Sequence, residues 1–147
     1  MAYELIYSWY EQYKNGIFRY ALSITKDAHL AEDVLQDTFV KALSQTYLPE
    51  SGKEQAWLYR VARNLCYDQL RKRKHEQLHA QIPDLEEKPY AYIDLIASLD
   101  PKEQEIVTLK IVGGLTHREI GTVLGITARA AQKRYERAIT ALREKED

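Results

Sequence analysis

The sequence is poor in the residues that build disulfide, zinc and membrane proteins. Its 147 residues include one cysteine, four prolines and six glycines. The single Cys66 excludes an internal disulfide framework and a cysteine-based zinc site, and we expect it to be a semi-buried packing residue. No apolar run approaches the roughly 18 residues of a membrane span, and the N-terminus lacks the order of a signal peptide. We therefore expect a soluble cytoplasmic protein without membrane insertion.

Net charge is also nearly absent, at −1 for the whole chain, but its distribution is uneven. Residues 56–79 carry six basic and two acidic side chains, and residues 127–147 carry six and four. The stretches 1–55 and 80–126 are acidic, with five basic against eight acidic and four against eight. Two basic segments within acidic surroundings favour two local contacts with a polyanion such as nucleic acid.

Apolar residues recur with helical spacing along nearly the whole chain, and no stretch alternates long enough to predict a strand. In the first half, the predicted helices cover residues 3–14, 17–25, 28–45 and 52–79. We expect an interruption or bend at Asn15-Gly16, and a capping box of Ser51 and Glu54 at the start of the last helix. Pro83 and Pro89 then predict a linker over 81–90. The fold class is therefore all-α, with two small helical domains, residues 1–80 and 91–147.

The second domain has the layout of a helix-turn-helix. Asp100 with Glu103, and Thr116 with Glu119, form capping-box patterns that open two helices. Gly125 suits the following turn, and Thr127 caps a last helix that reaches about Lys145. The outward residues of that helix are Arg129, Gln132, Lys133, Glu136 and Arg137. Such side chains can read purine edges and neutralise phosphates in a major groove, although a plain helical hairpin with a solvated basic face has the same pattern.

Two helices of the first domain carry opposite charge patterns. On helix 52–79, a basic arc of about 100° contains Arg60, Arg63, Asn64, Tyr67, Arg71 and Lys74. This arc suits a phosphate backbone with an exposed base, and a solvated face is the alternative. On helix 28–45, the outer residues are Glu32, Asp33, Gln36 and Asp37. They suit a basic protein partner or simply solvent.

Two strings in the first domain, LAEDVLQDTFVKAL and AWLYRVARNLCYDQLRKRK, resemble region 2 of bacterial sigma factors of the extracytoplasmic-function (ECF) group. In the second domain, LDPKEQEIVTLKIVGGLTHREIGTVLGITARAAQKRYERAITALRE resembles their region 4. The resemblance covers most of the chain in the expected order. It implies a dissociable initiation subunit that binds core RNA polymerase and recognises the −10 and −35 elements of promoter DNA.

The resemblance also implies roles for individual residues. Asp33, Gln36 and Asp37 would bind the coiled coil of the largest catalytic subunit, and the loop 45–53 would capture an unstacked −10 base. The −10 contacts would be Arg60, Arg63, Asn64, Tyr67 and Arg71, and the −35 contacts would be Arg129, Gln132, Lys133, Arg134 and Arg137. Ile139 and Glu136 depart from the usual Arg and His, which leaves the −35 sequence open. An anti-sigma factor is the regulator that the resemblance implies.

Three alternatives remain at this point. An enzyme is disfavoured: His75 and His79 could share a metal, but no carboxylate motif or phosphate loop completes a site. We therefore expect no catalysis, metal or cofactor. A free-standing helix-turn-helix regulator, or a sigma-like protein that binds polymerase without choosing promoters, would use the same motifs.

The opposite charges of the segments further predict that the two domains pack together in the free protein and hide both basic faces.

Overall fold

The computed structural model describes residues 2–76 and 91–146. Within these ranges the chain contains helices and turns and no strand, as the sequence predicts. The helices are α1 (Ala2–Thr25), α2 (Ala28–Leu43), α3 (Glu54–Glu76), α4 (Ala91–Ile96), α5 (Pro101–Val107), α6 (His117–Leu124) and α7 (Ala128–Glu146). A π-helical turn, Thr108–Val112, continues α5. The predicted linker 81–90 lies outside the described residues, and so does residue 79, the predicted end of the helix over 52–79.

Helices α1, α2 and α3 form a bundle around a core that includes Ile17, Val34 and Leu58. The predicted interruption at Asn15-Gly16 is wrong, because α1 is one continuous helix. Gly16 is required for close packing instead. A Cβ built at Gly16 would lie 2.2 Å from the hydroxyl oxygen of the buried Tyr59 on α3, so only glycine lets the two helices approach this closely.

The start of α3 also differs from the prediction. The helix begins at Glu54, not residue 52, and the Glu54 carboxylate accepts hydrogen bonds from the Gly52 N–H and from the Tyr13 hydroxyl, both at 2.7 Å. Ser51 is exposed and does not form the expected capping box. Burial acts to raise the pKa of Glu54, but these hydrogen bonds outweigh it and lower that pKa. The first residue of α3 is therefore held both by a local backbone N–H and by a side chain of α1.

In the second domain the predicted caps are confirmed. Asp100 and Glu103 form a complete capping box, as do Thr116 and Glu119. Gly125 adopts the left-handed conformation, with φ of 73°, at the turn between α6 and α7. Helices α6 and α7 therefore form the expected helix-turn-helix, and Ile120, Ala131 and Ala138 are fully buried in it.

The two domains pack against each other, with α1 and α3 facing α5, the π-helical turn and α6. Polar contacts cross this interface. The Lys26 ammonium donates to the Gln104 side chain, and the Gln55 amide donates to the Gly113 carbonyl at 2.7 Å. The carboxylate of Glu105 on α5 lies at its centre, in contact with side chains of α1 and α3. The predicted packing of the domains is therefore confirmed.

Candidate nucleic-acid interface

The basic arc of α3 is present but not uniformly accessible. Arg60, Asn64 and Arg71 are exposed, whereas Arg63 and Tyr67 are half-buried. The Arg71 guanidinium pairs with Asp68 one turn earlier, an exposed pair that solvent weakens. A shallow groove of about 360 Å³ runs along this face, between Arg63 and Arg71. Three predicted −10 residues are thus exposed, and the other two line the same groove but are half-buried.

The two half-buried residues are held by Glu105. Its carboxylate accepts from Arg63 Nε at 2.8 Å and from the Tyr67 hydroxyl at 2.5 Å. The Arg63 guanidinium also lies over the Tyr67 ring, 4.9 Å from its centroid. No local pattern in the sequence marks Glu105, because its three hydrogen-bond partners lie 38 to 85 positions away.

The pKa values of these groups follow from burial and from Glu105. Burial, reinforced by the hydrogen bond to Glu105 and its negative charge, raises the pKa of the Tyr67 hydroxyl above its ordinary value. Burial opposes charge on Arg63, but the Glu105 contacts outweigh it and raise the pKa of the guanidinium. Both donors therefore keep their protons at neutral pH.

The basic face of α7 is open to solvent. Arg129, Gln132, Lys133 and Arg137 are exposed, and they follow the i, i+3, i+4, i+8 spacing of one helix face. The prediction that domain packing hides both basic faces is therefore wrong for α7, because the interface uses α5 and α6 instead. Arg134 departs from that spacing and is half-buried, so it stands apart from the other predicted −35 residues.

The outer face of α2 combines acidic and apolar groups. Asp33, Gln36 and Asp37 are exposed, while Val34 and Leu35 between them are buried in the bundle. Among the described residues, no ion pair satisfies the two aspartates.

The same face continues one turn further into two exposed aliphatic side chains, Val40 and Leu43. Leu43 lines an apolar groove of about 470 Å³ with Tyr3 and Tyr7 of α1. These three side chains remain exposed in the folded chain, while Trp9 and Tyr13 of the same aromatic-rich helix are buried. The aromatic residues of α1 therefore divide between the core and an open surface.

A wider groove lies where the loop before α3 faces α6. It has a volume of about 780 Å³ and is lined by Trp57 and Arg60 of α3 and by Arg118 of α6, among others.

In the described ranges, no cluster of His, Cys, Asp or Glu could hold a metal ion, and no helix has the length and hydropathy of a membrane span. Cys66 is fully buried rather than semi-buried, and this burial raises its pKa to about 12.

The fold and these faces define a two-domain helical protein that combines a helix-turn-helix with a second basic helix. The family model "Sigma-70 region 2" matches residues 9–76, and "Sigma-70, region 4" matches residues 90–142. The chain belongs to the sigma-70 family, in its ECF group.

Individual relatives agree with this. The ECF RNA polymerase sigma factor SigM of Bacillus subtilis is 46% identical over 67 residues, which cover 46% of this chain and 41% of SigM. SigE of Mycolicibacterium smegmatis is 29% identical over 93% of this chain and 61% of its own length. The chain thus spans about two-fifths to three-fifths of these relatives. The fold resembles that of RpoE from Bartonella quintana, solved with the anti-sigma factor NepR, with a TM-score of 0.73, 24% identity and 93% coverage of both chains.

Proposed function

We propose that this chain is a dissociable initiation subunit of RNA polymerase, acting in the cytoplasm. The observation that carries the proposal is the distribution of charge over the domains. An acidic face on α2, whose two aspartates form no ion pair with any other described residue, and basic faces on α3 and α7 occur in one chain. Its two domains match regions 2 and 4 of the sigma-70 family. Membership in this family favours the subunit over the free-standing regulator, and over an enzyme.

In this proposal, α2 binds polymerase. Asp33 and Asp37 present unpaired carboxylates, and Gln36 lies between them, so a basic coiled coil of the largest catalytic subunit would be complementary to this face. Val40 and Leu43 extend the same face with apolar area that water now covers, and its burial would add affinity.

The two basic faces bind promoter DNA in this proposal. Arg60, Asn64 and Arg71 of α3, with Arg63 and Tyr67, would hold the −10 element, where stacking and phosphate contacts favour an opened strand. Arg129, Gln132, Lys133 and Arg137 would enter the major groove of the −35 element, with Arg134 at its margin. Strand opening requires no covalent chemistry from the subunit, so we expect neither catalysis nor a cofactor. An anti-sigma factor remains the regulator that we expect.

The test is a titration of the fluorescently labelled protein onto purified bacterial core RNA polymerase, followed by anisotropy. We expect saturable one-to-one binding, and about a tenfold or greater loss for Asp33→Lys, because the reversal places like charges together. Asp94→Lys is the matched control: Asp94 is exposed on α4, and its reversal should leave core binding unchanged.

Two outcomes would contradict the proposal. Equal core binding by Asp33→Lys and the unchanged protein would make the α2 face a solvated surface. No core binding at all, together with tight and salt-sensitive binding to duplex DNA, would make the chain a free-standing helix-turn-helix regulator.

A further inference from the structure

The centre of the domain interface is a buried carboxylate with three donors from the opposite domain. Glu105 is 4% exposed. Its Oε1 accepts from the Tyr20 hydroxyl and from Arg63 Nε, both at 2.8 Å, and its Oε2 accepts from the Tyr67 hydroxyl at 2.5 Å. A buried charge is tolerated only when it is paired and hydrogen-bonded. The buried Glu105 carboxylate therefore requires these donors, and it has them only while the two domains are packed together.

Two of these three donors belong to the predicted DNA surface. A carboxylate and a phosphate present the same kind of anionic oxygen to a guanidinium. While Glu105 accepts from Arg63 Nε and the Tyr67 hydroxyl, these two donors are not available to a DNA phosphate or base. The neighbouring Arg60 and Asn64 stay exposed, so the contact blocks part of the α3 face and leaves the rest accessible.

The size of the packed chain leads to the same conclusion. Elements at −10 and −35 lie about 25 base pairs apart, which is about 85 Å along straight duplex at roughly 3.4 Å per step. A compact chain of this length has a radius of gyration of about 15 Å, and hence a diameter of about 40 Å. The packed arrangement cannot reach both elements, so the domains must separate before both are bound.

We propose that Glu105 is an autoinhibitory latch: it occupies Arg63 and Tyr67 in place of DNA and holds the domains together. The inference rests on the proposed function in one respect, the assignment of those two residues to the −10 contact. Promoter DNA opens the latch by replacing the carboxylate with phosphate. Of the surrounding contacts, Lys26 with Gln104 and Gln55 with the Gly113 carbonyl also break on opening.

The test compares Glu105→Ala with Glu144→Ala, a matched change at an exposed glutamate near the end of α7. Small-angle scattering should give about 15 Å for the unchanged protein and the control, and about 20 Å or more for Glu105→Ala. Binding of a fluorescein-labelled single-stranded DNA of mixed sequence should tighten about tenfold in Glu105→Ala, because a larger fraction of the chain is then competent to bind.

A second variant covers loss of folding. If circular dichroism shows that Glu105→Ala does not fold, Tyr20→Phe removes one donor to the latch outside the predicted DNA surface, and it should shift both measurements in the same direction by a smaller amount. An unchanged radius, or expansion without tighter DNA binding, would overturn the latch. Core binding by the unchanged protein is measured alongside. Its absence would overturn the proposed function, whereas its presence with an unchanged radius would overturn the latch alone.

Discussion

Replacing Gly16 by alanine tests the packing of α1 against α3, because two effects of opposite sign compete. In an ordinary helix interior, alanine is favoured over glycine by about 0.8–1.0 kcal/mol. Here the added Cβ would lie 2.2 Å from the Tyr59 hydroxyl oxygen, and overpacking of this kind costs about 1–3 kcal/mol. Since Tyr59 is only 1% exposed, its ring has little room to move. We expect Gly16→Ala to lower the free energy of unfolding by about 1 kcal/mol.

The measurement is urea denaturation followed by the fluorescence of Trp9 and Trp57. A loss of this size corresponds to about 2–4 °C in the melting temperature. Tyr59→Phe provides the control, because without the hydroxyl the nearest atom to the new Cβ is a ring carbon at 3.5 Å, an ordinary contact. In that background Gly16→Ala should be neutral or stabilising, which gives a coupling free energy of about 1–2 kcal/mol. Equal stabilisation in both backgrounds would show that Gly16 is not confined by Tyr59.

Three further predictions concern the DNA surface, the buried thiol and the turn. Lys133→Ala should weaken duplex binding for all sequences and reduce the slope of log affinity against log salt by about 0.9, whereas Glu144→Ala should leave the slope unchanged; an unaltered slope for Lys133→Ala would exclude a phosphate contact. Cys66, whose pKa burial raises to about 12, should react with Ellman's reagent in native buffer only as fast as the chain opens, and rapidly in guanidinium chloride; fast native labelling would contradict its burial. Gly125→Ala places a side chain at φ of 73° and should cost about 1–2 kcal/mol of stability in thermal denaturation; an unchanged melting temperature would contradict the left-handed turn.

The features that the sequence predicts correctly are the local ones. Asp100 with Glu103, and Thr116 with Glu119, are capping signals that both partners satisfy within four residues, and the structure contains both. The predicted capping box at the start of α3 is absent, and the Glu54 side chain instead accepts from the Gly52 N–H and from Tyr13, 41 positions earlier.

Contacts between residues far apart in the sequence also explain two other differences between the prediction and the structure. The sequence predicts that Gly16 interrupts the helix, whereas in the structure α1 is continuous and Gly16 leaves room for the Tyr59 hydroxyl, 43 positions away. At the candidate site, the exposed faces of α2 and α7 follow from helical periodicity alone. Glu105 does not, because its partners Tyr20, Arg63 and Tyr67 are 38 to 85 positions away. Long-range contacts of this kind have no local signature.

Under the proposed function, the accessibility of the two kinds of surface implies an order of events. Asp33, Gln36 and Asp37 are exposed while the domains are packed, so polymerase can bind the closed chain. Full use of the α3 face requires Arg63 and Tyr67 to leave Glu105, so engagement of DNA follows opening. The order predicts that Glu105→Ala binds core polymerase with unchanged affinity in the anisotropy titration while it binds single-stranded DNA more tightly. If core affinity rose in parallel with DNA affinity, polymerase would require the open chain, and opening would come before docking.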